Sequence, residues 1–139
     1  TQMVQLSGAV IVTTPQTLTL IDVSRGILMF EKVNVPILGI VENMSYFKCD
    51  GCDKRHFLFG EDGGRMLAKK FNTELLAQIP LVQKIREGGD EGRPIVVRDP
   101  SAESAIAFRD MSRKIARKVA ILANEGVDPA AIVQIGRFN

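Results

Sequence analysis

Two short apolar segments place the strongest constraint on the fold of this chain. Residues 8–14 and 37–41 are apolar and rich in β-branched side chains, which is typical of parallel strands buried on both faces. Between them, apolar side chains recur at the spacing of one helix face. They are Leu20, Val23, Ile27 and Phe30. A strand, a helix and a second strand in this order predict a right-handed parallel crossover.

Later segments extend this pattern. Residues 74–80 predict a third strand that ends at Pro80, residues 93–97 predict a brief extended segment, and a last helix is expected from residues 99–101 to Gly126. Alternating strands and helices make the fold class α/β with a mostly parallel sheet. Because three strands form a small sheet with an open edge, we expect the C-terminal half of a larger, doubly wound sheet with flanking helices.

Local signals predict where two of the helices begin. Thr14 is predicted to cap the first helix, with Pro15 at its first helical position. A second helix is expected to open at residues 62–64. Gly26 weakens the middle of the first helix by roughly 1 kcal/mol relative to Ala, so we expect a close packing contact there.

Composition excludes several classes of function. The formal net charge is only +2 in 139 residues, which gives no electrostatic reason to expect nucleic acid or an anionic membrane as a partner. No apolar run is long enough to cross a bilayer, and the N-terminus has no basic-then-apolar signal pattern. We therefore expect a reducing compartment, the cytoplasm.

One stretch, residues 45–56, holds both cysteines and the single histidine. Thiolates bind soft or borderline metals, and the C-x-x-C spacing of Cys49 and Cys52 lets both sulfurs reach one ion or cluster. Nearby basic residues favour the thiolate form. They are Lys48, Lys54 and Arg55. A redox dithiol and two ordinary surface thiols are the alternatives, and His56 is more often a loop histidine than a third ligand.

The number of ligands raises a further question. A tetrahedral zinc ion or a [4Fe–4S] cluster wants four ligands, and this chain offers two sulfurs. A two-fold dimer in which each subunit supplies one C-x-x-C pair is the economical solution. A thiol–disulfide oxidoreductase is disfavoured because the motif follows a strand, whereas a helix N-terminus would lower a thiol pKa.

Asn43 follows the second predicted strand, at the edge where open α/β sheets bind ligands. Its amide is suited to read a nucleobase, although a turn-forming role is the alternative. No Gly-rich phosphate loop with Lys and Ser or Thr is present in the 139 residues. The sequence therefore offers a candidate for the base of a nucleotide and none for its phosphates.

The order of these motifs resembles the C-terminal half of the Mrp/ApbC family, which are MinD-like, deviant-Walker P-loop ATPases that carry iron–sulfur clusters. The resemblance covers roughly residues 7–123 and is far more specific than the C-x-x-C pair alone. Its motifs are Val12-Thr13-Thr14-Pro15-Gln16, Val35-Pro36-Ile37-Leu38-Gly39-Ile40-Val41-Glu42-Asn43-Met44-Ser45, the cysteine pair, Phe59-Gly60, Ile79-Pro80-Leu81 and Ile85-Arg86-Glu87-Gly88-Gly89-Asp90.

The resemblance implies a carrier. A labile [4Fe–4S] cluster would be bridged between subunits of a homodimer or heterodimer by Cys49 and Cys52, and passed to apo iron–sulfur proteins. Asn43 and Pro80 match the adenine side of the family's nucleotide pocket, and ATP with Mg²⁺ controls assembly or transfer in full-length members. Zinc in place of the cluster, in a dimerisation module without transfer, is the main alternative.

The same resemblance sets the expected organisation of the chain. Residues 1–125 are expected to be the C-terminal part of a P-loop NTPase-like domain, with the cluster loop at 45–56. Residues 126–139 form a tail, in which Asp128-Pro129-Ala130 is a candidate start for a short helix. The family's phosphate loop and switch region would precede residue 1, so we do not expect this chain alone to hydrolyse ATP.

Overall fold

Three parallel strands form the centre of the computed structural model, which describes residues 6–124. They are β1 (Ala9–Thr13), β2 (Ile37–Glu42) and β5 (Leu75–Gln78), in the sheet order β1-β2-β5. A separate antiparallel hairpin is made of β3 (Phe47–Lys48) and β4 (Arg55–His56). The helices are α1 (Thr17–Lys32), α2 (Gly63–Lys70), α3 (Gln83–Asp90), α4 (Ile95–Arg98) and α5 (Glu103–Asn124).

Helices cover both faces of the sheet, which explains why its strands are apolar without alternation. On one face Ile11 of β1 and Ile40 of β2 pack with the fully buried Ile27 of α1 and with α2. On the other face Val41 and Leu76 pack against the apolar side of α5. Each fully buried aliphatic side chain contributes about 1.5–3 kcal/mol. The predicted α/β class with a parallel sheet is confirmed.

α5 also covers the polar groups of β5. The Lys114 ammonium donates to the Leu76 carbonyl oxygen at 3.0 Å. Just before β5, Glu74 pairs with Lys118 at 3.1 Å and with Lys114 at 3.4 Å. The hydrogen bond from Lys118 holds the pKa of Glu74 below its usual value. These contacts fix the register of the last helix on the sheet.

The start of α1 differs from the prediction. The helix begins at Thr17, because Gln16 before it is extended, with φ −62° and ψ 132°. Thr14 is not the cap, since its hydroxyl donates to the Thr19 hydroxyl at 3.0 Å. Pro15 precedes the helix, buried beneath Gly63 of α2.

Three other predictions are also corrected. Residues 93–97 are not extended, because the backbone N–H groups of Val97 and Arg98 donate to the Pro94 carbonyl and close the short helix α4. A contact at Gly26 is absent, since nothing lies within 4 Å of the Cβ that alanine would place there. The third strand is shorter than residues 74–80, while the predicted end at Gly126 and the tail 126–139 lie outside the described residues.

None of the helices within residues 6–124 has the length and apolar character needed to span a membrane.

Two glycine substitutions test the packing of these helices. Gly26→Ala should raise the free energy of unfolding by about 0.5–1 kcal/mol, because it restricts the unfolded chain without meeting a neighbour. Gly63→Ala should lower it by about 1–3 kcal/mol, because the added methyl would lie 2.8 Å from the Pro15 Cα atom. Urea denaturation of the two variants gives both values. Destabilisation by Gly26→Ala, or none by Gly63→Ala, would contradict this packing.

Candidate metal centre

The two cysteines lie in the turn that joins β3 to β4. We call residues 47–56 the cysteine hairpin. The Cys49 N–H donates to the Lys54 carbonyl at 3.0 Å, and the Asp53 N–H donates back to the Cys49 carbonyl at 2.9 Å. Asp53 takes a left-handed conformation, with φ 56°, which turns the chain into β4. Cys52 is exposed and Cys49 is half-buried, and neither forms a disulfide. Both thiols are therefore available to a ligand.

Backbone groups dominate the electrostatics of the pair. The hydrogen bond from the Gly51 backbone lowers the pKa of the Cys49 thiol, and the Cys52 side chain and backbone lower it further. Lys48 was expected to favour the thiolate but pairs with Asp53 at 3.0 Å. Arg55 likewise pairs with Glu103 at 3.1 Å. The turn itself thus favours the thiolate form of Cys49, the form that binds soft metals.

His56 does not complete a site within this subunit. Among residues 6–124, no group of three or more histidine, cysteine, aspartate or glutamate side chains is arranged to hold a metal ion. His56 lies in β4, opposite Phe47, with the two ring centroids 6.4 Å apart. Cys49 and Cys52 are therefore a two-ligand set, whereas structural zinc sites and [4Fe–4S] clusters use four.

Three side chains fasten the base of the cysteine hairpin to α5. The Tyr46 hydroxyl donates to Glu103 Oε1 at 2.7 Å, and Arg55 Nη2 donates to the same oxygen at 3.1 Å. The Arg55 guanidinium also lies over the Tyr46 ring, 4.2 Å from its centroid, where the two attract each other. We call Tyr46, Arg55 and Glu103 the Glu103 triad. No local sequence pattern indicates this triad, because Glu103 is distant from Tyr46 and Arg55 in the chain.

A buried carboxylate lies where the hairpin leaves the sheet. Glu42, at the end of β2, has no solvent exposure. It accepts hydrogen bonds from the Ser45 hydroxyl at 2.6 Å, the Gln78 amide at 2.9 Å and the Gly64 backbone N–H at the start of α2. Sequence reasoning did not single out Glu42, although an acidic residue at the end of an apolar strand is a usable signal.

The two residues predicted for the nucleotide base lie on neighbouring segments. The Ser45 N–H donates to the Ile79 carbonyl at 2.9 Å, which brings residues 43–46 beside residues 79–81. Pro80 lines a cavity of about 620 Å³ between the cysteine hairpin and helices α3 to α5, and Asn43 does not line it. The Asn43 side-chain oxygen accepts the Met44 N–H at 3.0 Å, as in a turn. The chain thus does not bring Asn43 and Pro80 into one cavity.

Comparison with known proteins identifies the family. Residues 1–116 match the ParA family, described as NUBPL iron-transfer P-loop NTPase. The chain belongs to this family. The predicted resemblance to P-loop ATPases that carry iron–sulfur clusters is thereby confirmed.

Individual relatives agree with the family. The chain is 46% identical over 124 residues to the iron–sulfur cluster transfer protein NUBPL of Dictyostelium discoideum, covering 89% of this chain and 38% of that protein. It is 50% identical over 124 residues to the iron–sulfur cluster carrier protein of Synechocystis, covering 88% and 35%. The chain therefore spans less than two fifths of the length of these relatives.

A solved structure agrees on the fold. The cell division ATPase MinD of Pyrococcus furiosus superposes with a TM-score of 0.61 at 28% identity, over 80% of this chain and 43% of that one. The predicted likeness to MinD-type P-loop NTPases is confirmed. This chain thus carries the helix-covered parallel sheet of that fold.

Tyr46 provides a test of the Glu103 triad, because it is the only tyrosine and the chain has no tryptophan. Burial, followed by the hydrogen bond to Glu103, raises the pKa of its phenol from 10.0 to about 12. The stability that this gives is fully present below pH 10 and is lost as the pH rises towards 12, since the folded state holds the proton more tightly.

Phenolate absorbance during an alkaline titration measures the Tyr46 pKa directly. Glu103→Gln should move the midpoint down towards the ordinary value, because it removes the charge that opposes ionisation. Tyr46→Phe should abolish the transition, and circular dichroism at each pH monitors the fold. An ordinary midpoint in the folded wild-type chain would contradict the burial and bonding of Tyr46.

Proposed function

We propose that this chain is the cluster-holding part of an iron–sulfur cluster carrier. Cys49 and Cys52 bind one edge of a [4Fe–4S] cluster, which the protein passes to apo iron–sulfur proteins. The observation that carries the proposal is the pair of available thiols at C-x-x-C spacing, in a turn whose backbone N–H groups lower the pKa of Cys49. The description of the chain's family as iron-transfer P-loop NTPases supports an iron–sulfur cargo for this pair.

A second subunit supplies the other ligands in this proposal. Each described chain offers two thiols on an exposed hairpin, and a [4Fe–4S] cluster uses four. A two-fold axis through the cluster would bring two such hairpins together. The partner is a second copy of this chain or a related subunit.

Transfer requires a cluster that can leave. Because both β3 and β4 are exposed, a cluster on this hairpin would sit at the surface of the subunit, within reach of an acceptor's thiolates. The partners we propose are therefore apo iron–sulfur proteins. Both thiols are free, and a reducing compartment keeps them so, which favours the cytoplasm.

We further propose that a nucleotide binds at the edge of the sheet, next to the cysteine hairpin. Asn43 and Pro80 are assigned to the adenine side of an ATP–Mg²⁺ site whose phosphate-binding residues are supplied outside this chain. A solved structure that resembles this chain is that of an ATPase. Tyr46 accepts the Leu81 N–H at 2.7 Å, so the segment after Pro80 is bonded directly to the base of the cysteine hairpin.

Anaerobic reconstitution with iron and sulfide tests the cluster. The wild-type chain should take up four iron ions per dimer, because two cysteine pairs complete the ligand set. Cys49→Ser and Cys52→Ser should each abolish stable uptake, since each removes two of the four ligands from the dimer. Iron and sulfide analysis, visible absorbance and native mass measurement give the result.

His56→Ala is the matched control for reconstitution, since it changes a side chain of the same hairpin that lies in β4 rather than in the turn. It should retain its cluster. A cluster on a monomer would contradict the bridged arrangement, and one that survives both serine substitutions would contradict the assignment of the ligands. A colourless bound metal that is not released to an apo acceptor would identify a zinc-stapled dimer, and turnover of the dithiol with glutathione would identify an oxidoreductase.

A chimera tests the nucleotide assignment. When this chain replaces the matching part of its Synechocystis relative, Asn43→Ala should weaken ATP binding about tenfold, the effect of losing one or two hydrogen bonds to the base. Equilibrium binding of ATP and GTP measures the loss and the specificity. Arg113→Ala, which removes an exposed side chain bonded to Asp110 on α5, serves as the control. Unchanged ATP affinity with Asn43→Ala would remove Asn43 from the site.

A further inference from the structure

The cysteine hairpin is too short to fix its own orientation relative to the sheet. β3 and β4 contribute two residues each, paired Phe47 with His56 and Lys48 with Arg55. All four are exposed, and an isolated two-stranded hairpin is marginally stable in water. The orientation of the hairpin relative to the sheet must therefore come from contacts at its base.

Those contacts converge on one oxygen atom. Glu103 Oε1 accepts from Tyr46, which precedes β3, and from Arg55, which lies in β4. One carboxylate thus binds the residue before β3 and a residue of β4. Tyr46 is only 7% exposed, so its hydroxyl reaches Glu103 from a packed position, and the Arg55 guanidinium is held over its ring.

Glu103 is well placed to serve as the fixed point. It is the first residue of α5, a helix of 22 residues that packs along the sheet. A carboxylate in the first turn is favoured by the helix dipole. A rigid helix therefore presents the carboxylate, and the exposed hairpin is aligned against it.

We propose that Glu103, Tyr46 and Arg55 are positioning residues that fix the direction in which the hairpin presents Cys49 and Cys52, and thereby set how long the chain holds its cluster. The link to the cluster rests on the proposed carrier function. A cluster bridged between two subunits needs four sulfurs within a few tenths of an ångström of their places. If the orientation of the hairpin varies, both cysteines are still present, but the cluster that they bind is lost faster.

The first measurement uses the chain without a cluster. Hydrogen exchange at the Cys49 amide, which is bonded to the Lys54 carbonyl, reports opening of the hairpin. Tyr46→Phe should speed this exchange about tenfold or more, as expected for the loss of a hydrogen bond to a charged group. Glu103→Gln keeps an acceptor oxygen but removes its charge, so it should also speed the exchange, by a smaller factor. Exchange at the Ile40 amide, bonded to the Glu74 carbonyl, should not change, which separates local opening from global unfolding.

The second measurement uses the reconstituted chain. Iron content and absorbance just after reconstitution should match the wild type, because both cysteines are intact. Loss of the cluster to a ferrous-iron chelator should then be several-fold faster in both variants. Asp110→Asn is the matched control, since Asp110 pairs with Arg113 on the same helix and surface changes of this kind have small effects. It should leave both rates within about twofold of the wild type.

The outcomes are distinct. Unchanged Cys49 exchange in Tyr46→Phe, which keeps the ring and removes only the hydroxyl, would overturn the positioning role even if Glu103→Gln proves unstable. Faster exchange with unchanged cluster release would overturn the link to retention. A wild-type chain that takes up no cluster would contradict the proposed carrier function instead, while the exchange rates would still decide whether the Glu103 triad aligns the hairpin.

Discussion

The arrangement of this domain depends on one buried carboxylate. Glu42 has no contact with solvent, and a polar group in that position is costly unless it is hydrogen-bonded. Here Ser45, Gln78 and the Gly64 N–H supply donors, so the same group joins the end of β2 to the end of β5 and to the start of α2. Gly64 must lack a side chain, because a Cβ atom there would lie 2.8 Å from the Glu42 Cβ atom.

The same network carries the exposed loop. Ser45 is bonded to Glu42 and to the Ile79 carbonyl, and Tyr46, the next residue, accepts the Leu81 N–H and donates to Glu103. Each step leads outward from the buried carboxylate to the cysteine hairpin. A loop that binds a ligand is generally placed by a rigid scaffold. In this chain the scaffold contacts the loop through Ser45 and Tyr46 on one side and through Arg55 on the other, which explains why a short hairpin needs so few contacts of its own.

Sequence reasoning succeeded where the signal is local and repeated. The strands at residues 8–14 and 37–41 were predicted because burial on both faces requires a continuous apolar run, and the cysteine pair was found by its spacing. It failed where tertiary contacts determine the local conformation or the packing. Pro94 closes a helical turn in a segment that reads as extended, and Gly26 faces open space rather than a packed neighbour. The Glu103 triad joins residues 57 positions apart, so no local pattern indicates it.

The two halves of the proposed function differ in how much of them this chain contains. Everything that places Cys49 and Cys52, from Glu42 to Glu103, lies within one folded unit of described residues. The nucleotide side is different, because Asn43 uses its side-chain oxygen in a local turn and does not share the cavity that Pro80 lines. Under the proposed function, the cysteine site has its parts already aligned and would need only a second hairpin to complete it. The nucleotide site has separate parts and would need further residues to define it, so cluster binding is the half of the proposal that this structure supports more directly.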